Sequence, residues 1–244
     1  MSHRIFLAGA GGAVGHRLVP LLRAAGHRIA GTTRVEAKAS LLRALGAEPV
    51  VVDVFDADAL KRAVLAARPD IVIHQLTDLP PGLDPARMAV AIGRNARIRD
   101  EGTRNLVGAA IAAGAHRLIA QSIAWMYAPG PQPHREDDPL DRAADGARGV
   151  TLAGVVSLET QTLQSPPLDG IVLRYGQLYG PGTGSDEPRG NTPLHVDAAA
   201  HAALLAVARG GTGIYNIAEP NDLIATDKAR RELGFDARFR LPGG

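Results

Sequence analysis

The chain has 244 residues, of which 45% are hydrophobic, so its length and composition fit one large α/β domain with a substantial core. The 27 basic and 25 acidic side chains give a formal charge of only +2, without the concentrated basic stripe that nucleic-acid-binding proteins carry. No apolar run approaches the roughly 20 residues of a membrane span, and the first residues carry no signal-peptide pattern. We therefore expect a cytoplasmic protein that binds neither nucleic acid nor a membrane.

Short apolar runs alternate along the chain with longer segments of helical period, a pattern typical of parallel strands joined by right-handed helical crossovers. A region rich in Pro, Asp and Arg, Ala128 to Gly149, interrupts the alternation and predicts a surface loop. In chain order the predicted elements are strand Arg4 to Ala8, helix Val14 to Ala25, strand His27 to Thr32, helix Ala37 to Leu45, strand Pro49 to Val52, a helix capped by Asp56 or Asp58 that runs to Ala67, strand Ile71 to His74, helix Met88 to Ala113, strand His116 to Gln121, strand Gly170 to Arg174, helix Val196 to Ala208, strand Ile214 to Ile217 and a last helix ended by Gly234.

A glycine-rich turn, Gly9-Ala10-Gly11-Gly12-Ala13-Val14-Gly15, follows the first predicted strand directly. Residues without a Cβ let the backbone bend and approach a pyrophosphate closely, and the free N–H groups at a helix start attract phosphate. A tight strand-to-helix turn without a ligand would use glycines in the same way, but here a second strand follows at the distance expected of a dinucleotide site. The residues of the turn predicted to bind the dinucleotide are Gly9, Gly12, Ala13, Val14 and Gly15.

These patterns predict a Rossmann-type α/β fold with a doubly wound parallel sheet. Residues 1–174 are expected to form the dinucleotide-binding core. Residues 175–244 are expected to complete the sheet and to add a small, shortened substrate-binding part within the same compact unit.

The end of the second strand, Gly31-Thr32-Thr33-Arg34, bears on which dinucleotide is bound. An acidic residue at this point would bond the ribose 2′-hydroxyl, whereas an arginine can pair with a 2′-phosphate. No acid stands at the strand tip, so we expect NADP(H), with Thr33 and Arg34 as its contacts. Arg34 could instead be an ordinary solvated side chain and Glu36 could reach the ribose, which would favour NAD.

Several further motifs extend the pattern, and with them the chain resembles the extended or atypical short-chain dehydrogenase/reductases, a family that includes NAD(P)-dependent epimerases and dehydratases. The motifs are Gly9-xx-Gly12-xx-Gly15, Asp53-Val54, Glu101 to Leu106, Gln121-Ser122, Leu173 to Gly182 and His195-Val196-Asp197. The resemblance implies that Asp53 and Val54 contact the adenine end of the cofactor. It also implies that other residues lie along the cofactor or near its nicotinamide, namely Gln75, Leu76, Thr77, Tyr175, Gln177 and Leu178.

The family's Tyr and Lys are absent from the segment after the irregular loop. In active members a Tyr four residues before a Lys exchanges a proton with the substrate oxygen, while a Ser or Thr hydroxyl binds that oxygen. Ser122 fits the hydroxyl position. Alignment on Glu159 places Thr151 where the Tyr would stand and Val155 where the Lys would stand, and no Tyr-xxx-Lys occurs anywhere in the chain.

Two functions therefore remain open. The first is an NADP(H)-dependent oxidoreductase for a small carbonyl, enone or imine-like substrate, with Ser122 and Tyr127 as predicted catalytic residues. Tyr127 could equally be a packing residue under the loop. His134 and Glu136 or Asp137 lie on the same loop and are further candidates for supplying a proton. The second function is a non-catalytic NADP(H)-binding sensor or interaction protein.

The shape and assembly of the site can also be anticipated. The short connection Thr183 to Leu194 predicts an open site for a compact substrate rather than a nucleotide sugar. No pair among the 8 histidines has the spacing of a metal-binding helix, so we expect no metal. The helix Met88 to Ala113 could pair with a second copy, which makes a homodimer possible.

Overall fold

The computed structural model describes residues 1–242, apart from the side chain of Pro81. Gly243 and Gly244, the end of the predicted C-terminal part, lie outside the described residues. The strands are β1 (Arg4–Ala8), β2 (Arg28–Thr33), β3 (Glu48–Val51), β4 (Ile71–His74), β5 (Arg117–Ile123), β6 (Asp169–Tyr175), β7 (Gln177–Tyr179), β8 (Pro193–His195) and β9 (Gly213–Ile217). The helices are α1 (Ala13–Ala24), α2 (Ala39–Leu45), α3 (Ala57–Ala67), α4 (Pro85–Arg97), α5 (Thr103–Ala112), α6 (Gly146–Leu163) and α7 (Val196–Ala208).

The main sheet has seven strands in the order β3-β2-β1-β4-β5-β6-β9, and every neighbouring pair is parallel. Because β1 has β2 on one side and β4 on the other, the strand order reverses there, and a crevice opens beyond the carboxyl ends of the strands. The predicted Rossmann-type fold is therefore confirmed. The short strands β7 and β8 form a separate parallel pair that the sequence patterns did not predict.

Two hydrophobic cores cover the two faces of the sheet. Side chains alternate along β1, so Ile5 and Leu7 pack in the core that contains α1 and α7, whereas Phe6 and Ala8 pack in the core that contains α3 and α5. Continuous burial of both faces explains why the strands read as unbroken apolar runs in the sequence. No helix in the part of the chain that the structure describes is long and apolar enough to span a membrane.

Two predicted elements need correction. The single long helix is α4 and α5 joined by a wide π-helical turn, Ile98–Gly102, which we call the π-turn. The irregular region is shorter than predicted because α6 begins at Gly146, and it is not simply a surface loop. His134 within it is buried and pairs with Ile224, while Leu140 pairs with Tyr127.

Candidate active site

A cavity of about 940 Å³ lies along the carboxyl edge of the sheet. Each of five strands contributes to it where that strand ends, through Ala8, Thr33, Gln75, Ile123 and Tyr175. The cavity therefore crosses the point where the strand order reverses, which is where open parallel sheets bind their ligands.

The glycine turn closes one side of this cavity with bare backbone. Gly9 has a φ of +91°, and a Cβ on it would lie 2.7 Å from the carbonyl carbon and oxygen of Gln75. A Cβ on Gly15 would overlap the carbonyl oxygen of Gly9. Gly12 caps α1 with no side-chain bond, and the first turn of the helix contains no acidic residue. The free N–H groups and the positive helix end thus fit the pyrophosphate of a dinucleotide.

The end of β2 makes a cationic part of the cavity wall. Thr33, Arg34 and Lys38 all line it. Arg34 Nη2 lies 3.3 Å from Asp78 Oδ1, and Arg94 Nε lies 3.1 Å from the other carboxylate oxygen of Asp78. The sequence predicted Thr33 and Arg34 but not Lys38 or Asp78. Lys38 ends the short 3-10 helix Glu36–Lys38 that follows Arg34, and its position as a second cation shortly after β2 was the available signal.

The remaining predicted cofactor residues divide into two groups. Asp53 and Gly15 do not line the cavity: the Asp53 carboxylate accepts the Phe55 N–H at 3.0 Å within its own turn, and Gly15 packs against the turn behind the wall. The residues that line it are Gly9, Gly12, Ala13, Val14, Val54, Gln75, Leu76, Thr77, Tyr175, Gln177 and Leu178.

Tyr175 presents its ring to the cavity but not a free hydroxyl. Its hydroxyl donates to the carbonyl oxygen of Ala199 at 3.1 Å and accepts from Gln75 Nε2 at 3.4 Å. Complete burial raises the pKa of the phenol far above its ordinary value. The Tyr175 hydroxyl is therefore engaged by groups inside the protein.

The two predicted catalytic residues, Ser122 and Tyr127, lie behind the cavity in a buried polar cluster. Ser122 Oγ donates to Glu159 Oε1 at 2.7 Å, and Arg174 binds both oxygens of Glu159 at 2.9 and 2.7 Å. The Tyr127 hydroxyl accepts from Arg174 Nη1 at 2.8 Å and donates to Asn216 Oδ1 at 2.7 Å. Neither side chain lines the cavity, and the catalytic roles predicted for them stay predictions.

The other proton donors considered on the same loop also stand away from the cavity. The His134 ring stacks on Tyr127 and its Nδ1 lies 3.2 Å from Asp138 Oδ2. Glu136 Oε1 accepts the Asn216 N–H at 2.9 Å, and Asp137 is exposed.

The far end of the cavity is built by α4, α6 and the end of β5. Met88, Ile92 and Asn95 line it at intervals of three and four residues, which places them on one face of α4. Trp125 and Thr151 also line the cavity, and the Thr151 hydroxyl donates to the Ala147 carbonyl oxygen at 2.9 Å. Val155, one turn further along α6, is completely buried in a small apolar cluster.

A seven-stranded parallel sheet with a glycine turn at its central helix and a cavity across its switch point defines a Rossmann-type dinucleotide-binding protein. The chain belongs to the NAD-dependent epimerase/dehydratase family, whose model matches residues 5–226. The resemblance drawn from the sequence motifs is thereby confirmed.

Two kinds of relative describe this membership further. The chain is 44% identical over 232 residues to the 3-diazoavenalumate denitrifying reductase of a Streptomyces species, an alignment that covers 94% of this chain and 72% of that protein. In fold it is similar to the UDP-glucose 4-epimerase of Thermotoga maritima solved with UDP-glucose, with a TM-score of 0.77 at 18% identity over 98% of this chain and 94% of that one. The Bordetella bronchiseptica enzyme WbmG, solved with NAD, gives a TM-score of 0.73 at 20% identity over 99% and 91% of the two chains.

Proposed function

We propose that the protein is an NADP(H)-dependent reductase that removes dinitrogen from an aryl diazonium compound. The observation that carries the proposal is the composition of the cavity wall. Among its described residues, the acid–base side chains other than arginine are Lys38, Asp78 and Tyr175. Asp78 is ion-paired, and the Tyr175 hydroxyl is bound inside the protein. Lys38 follows β2, and three strands lie between β2 and β6, whose end is expected near the nicotinamide.

A reaction that needs no proton fits such a wall. Reduction of a ketone or an enone consumes a hydride and a proton, and the family's Tyr and Lys serve that proton transfer. When bound, the reduced dinucleotide would supply a hydride. In an aryl diazonium substrate the C–N bond breaks while a C–H bond forms at the same carbon, and both electrons of the C–N bond leave with N₂. No proton is transferred, so Thr151 and Val155 can stand where the Tyr and Lys are expected.

The Streptomyces relative supports this choice, because its name describes a reductase that removes nitrogen from a diazo compound. Carbonyl and enone substrates, expected from the sequence, fit less well because their oxygen requires a proton donor. A compact aryl substrate also agrees with the short connection Thr183 to Leu194.

The cofactor is proposed to lie along the carboxyl edge of the sheet. The glycine turn and the start of α1 would hold the pyrophosphate, and Val54 would pack against the adenine. Arg34 and Lys38 would bind the 2′-phosphate, with Asp78 orienting Arg34. Leu76, Gln177 and Leu178 would keep water from the nicotinamide end.

Deuterium transfer tests the function. The protein would be incubated with NADPH deuterated at the nicotinamide C4 and with 4-carboxybenzenediazonium, beside a control without protein. We expect benzoate with one deuterium at the carbon that lost N₂, and none at that carbon when the label is in the solvent. Solvent hydrogen at that carbon, or reduction of ketones and enones but not of the diazonium, would contradict the proposal. Tight NADPH binding without turnover on any of these compounds would favour the non-catalytic sensor.

A further inference from the structure

Arg99 is a cationic side chain in the cavity wall that the proposed cofactor site does not use. It lies on the π-turn, next to Ile98, and both residues line the cavity. Its neighbours along the helix are paired: Arg97 binds Glu101 at 2.7 Å and Arg104 binds Asp100 at 2.8 Å. Arg99 forms no hydrogen bond or ion pair with any residue in the described part of the chain. A wide helical turn of this kind is frequent at functional sites.

In the part of the chain that the structure describes, the acids near Arg99 already have cationic partners. Glu159, whose charge acts on Arg99, already receives hydrogen bonds from Arg174 and Ser122. His74 is neutral, because burial together with the charge of Arg99 lowers its pKa to about 4. Burial lowers the pKa of Arg99 itself to about 10, so the guanidinium stays charged at neutral pH. An unpaired, half-buried guanidinium on a cavity wall is available to pair with an anion that enters the cavity.

The surroundings of Arg99 indicate what carries the anion. Met88 and Ile92 on the same helix face, together with Trp125, contribute apolar surface to the cavity wall that suits an aromatic ring. Asn95 and Arg99 follow at the next positions of that face. The planar fork of a guanidinium matches a carboxylate in two parallel hydrogen bonds. The aromatic ring of a ligand would thus contact α4, and its carboxylate would contact the π-turn that continues α4.

We propose that Arg99 binds the carboxylate of the substrate and selects aromatic carboxylic acids. The inference rests on the proposed function for its reaction, but it makes a separate statement about binding. An unsubstituted diazonium cation would be repelled by the guanidinium, whereas a substrate that also carries a carboxylate would be attracted and oriented.

Calorimetric titration without turnover tests the binding step. Benzoate and benzamide, which differ in charge but hardly in shape, would be titrated into protein saturated with NADP⁺. We expect the wild type to bind benzoate at least tenfold more tightly than benzamide, Arg99→Gln to remove this preference, and Arg99→Lys to restore part of it. Arg87→Gln, which changes an exposed arginine of α4 away from the cavity, should keep the preference.

Three results would overturn the inference: equal binding of the two probes by the wild type, an unchanged preference in Arg99→Gln, or a loss of NADP⁺ affinity in Arg99→Gln that marks Arg99 as a cofactor contact. Thermal unfolding of each variant with NADP⁺ confirms that it is folded. A second measurement compares kcat/KM for 4-carboxybenzenediazonium and benzenediazonium. If neither is reduced, the proposed function fails. If both are reduced and Arg99→Gln leaves their ratio unchanged, the Arg99 inference fails alone.

Discussion

The Tyr127 hydroxyl is held by two buried partners. Burial raises the pKa of the phenol, against the opposing effect of the Arg174 charge, and both hydrogen-bonding capacities of the hydroxyl are used by Arg174 and Asn216. We expect Tyr127→Phe to keep its kcat within about twofold and to lose about 1–3 kcal/mol of unfolding free energy, because two buried groups lose a partner. Kinetics and urea unfolding of the same sample measure this. A fall of kcat by a hundredfold at unchanged stability would instead make Tyr127 catalytic.

His74 ties the stability of the protein to pH. Its Nδ1 accepts the Leu76 N–H at 3.2 Å, its Nε2 lies 3.2 Å from the Thr103 hydroxyl, and burial lowers its pKa from the ordinary 6.5 to about 4. The unfolded chain therefore takes up a proton below about pH 6.5 that the folded protein accepts only near pH 4. Stability should fall over this window, by about 3 kcal/mol from this residue.

Denaturant unfolding at several pH values, for the wild type and for His74→Asn, isolates this contribution from that of the other histidines. We expect the wild type to lose more stability than the variant between pH 6.5 and 4. Parallel pH profiles for the two proteins would show that His74 is not the group responsible.

Arg34 and Lys38 form the proposed determinant of NADP(H) preference. A dianionic 2′-phosphate facing two cations should favour NADPH over NADH at least tenfold, and Arg34→Gln combined with Lys38→Gln should bring the two affinities close together. Fluorescence titration measures both constants, with Arg87→Gln as the matched control. Equal or tighter binding of NADH by the wild type would refute the preference.

The residues that sequence reasoning located correctly on the cavity wall belong to local motifs. The glycine turn, Thr33-Arg34 and Gln75-Leu76-Thr77 each lie at or just after the end of a strand, and strand ends share one edge of a parallel sheet. Ser122 also follows this rule in sequence, yet its side chain turns to Glu159, which is 37 positions away. Such a contact depends on how α6 packs on β5, which no local pattern reports.

At the level of elements, buried strands and glycine-bounded helices were predictable because their patterns are local. β7 and β8 were missed because each has three residues, too few for a period. The π-turn was missed because its apolar spacing differs little from that of an uninterrupted helix. Arg99, which lies on the π-turn, was therefore not distinguished from the other arginines of the predicted helix.

The packing of α1 against the glycine turn can be tested by substituting two glycines, of which Gly15 is crowded by its neighbours and Gly108 is not. Gly15→Ala would push a Cβ into the Gly9 carbonyl oxygen and to 2.7 Å from Ala10 Cα, so we expect a loss of about 1–3 kcal/mol and weaker NADPH binding. Gly108→Ala lies in an exposed turn of α5 with open space around it and should gain about 0.5–1 kcal/mol. Chemical unfolding measures both. Equal effects of the two substitutions would contradict the packing role of Gly15.

For the whole molecule, the predicted homodimer stays a prediction, and the surface offers a way to test it. Val90 on α4 is 64% exposed and Val150 on α6 is 45% exposed, on two helices that pack together. Sedimentation should find a dimer that Val90→Asp converts to a monomer, while Leu41→Asp on the exposed side of α2 leaves it intact. A monomeric wild type would contradict the prediction of a homodimer.

The π-turn also bears on how this protein could have diverged from its relatives. A π-turn holds one residue more than the α-helical turn it replaces, and one residue corresponds to about 100° of rotation around a helix. Deleting a single codon there would restore regular winding and turn α5 by about 100° relative to α4, with the sheet and the glycine turn untouched. The residues of α4 that line the cavity would thereby be reoriented in one short evolutionary step, while the turn proposed to hold the dinucleotide stays unchanged.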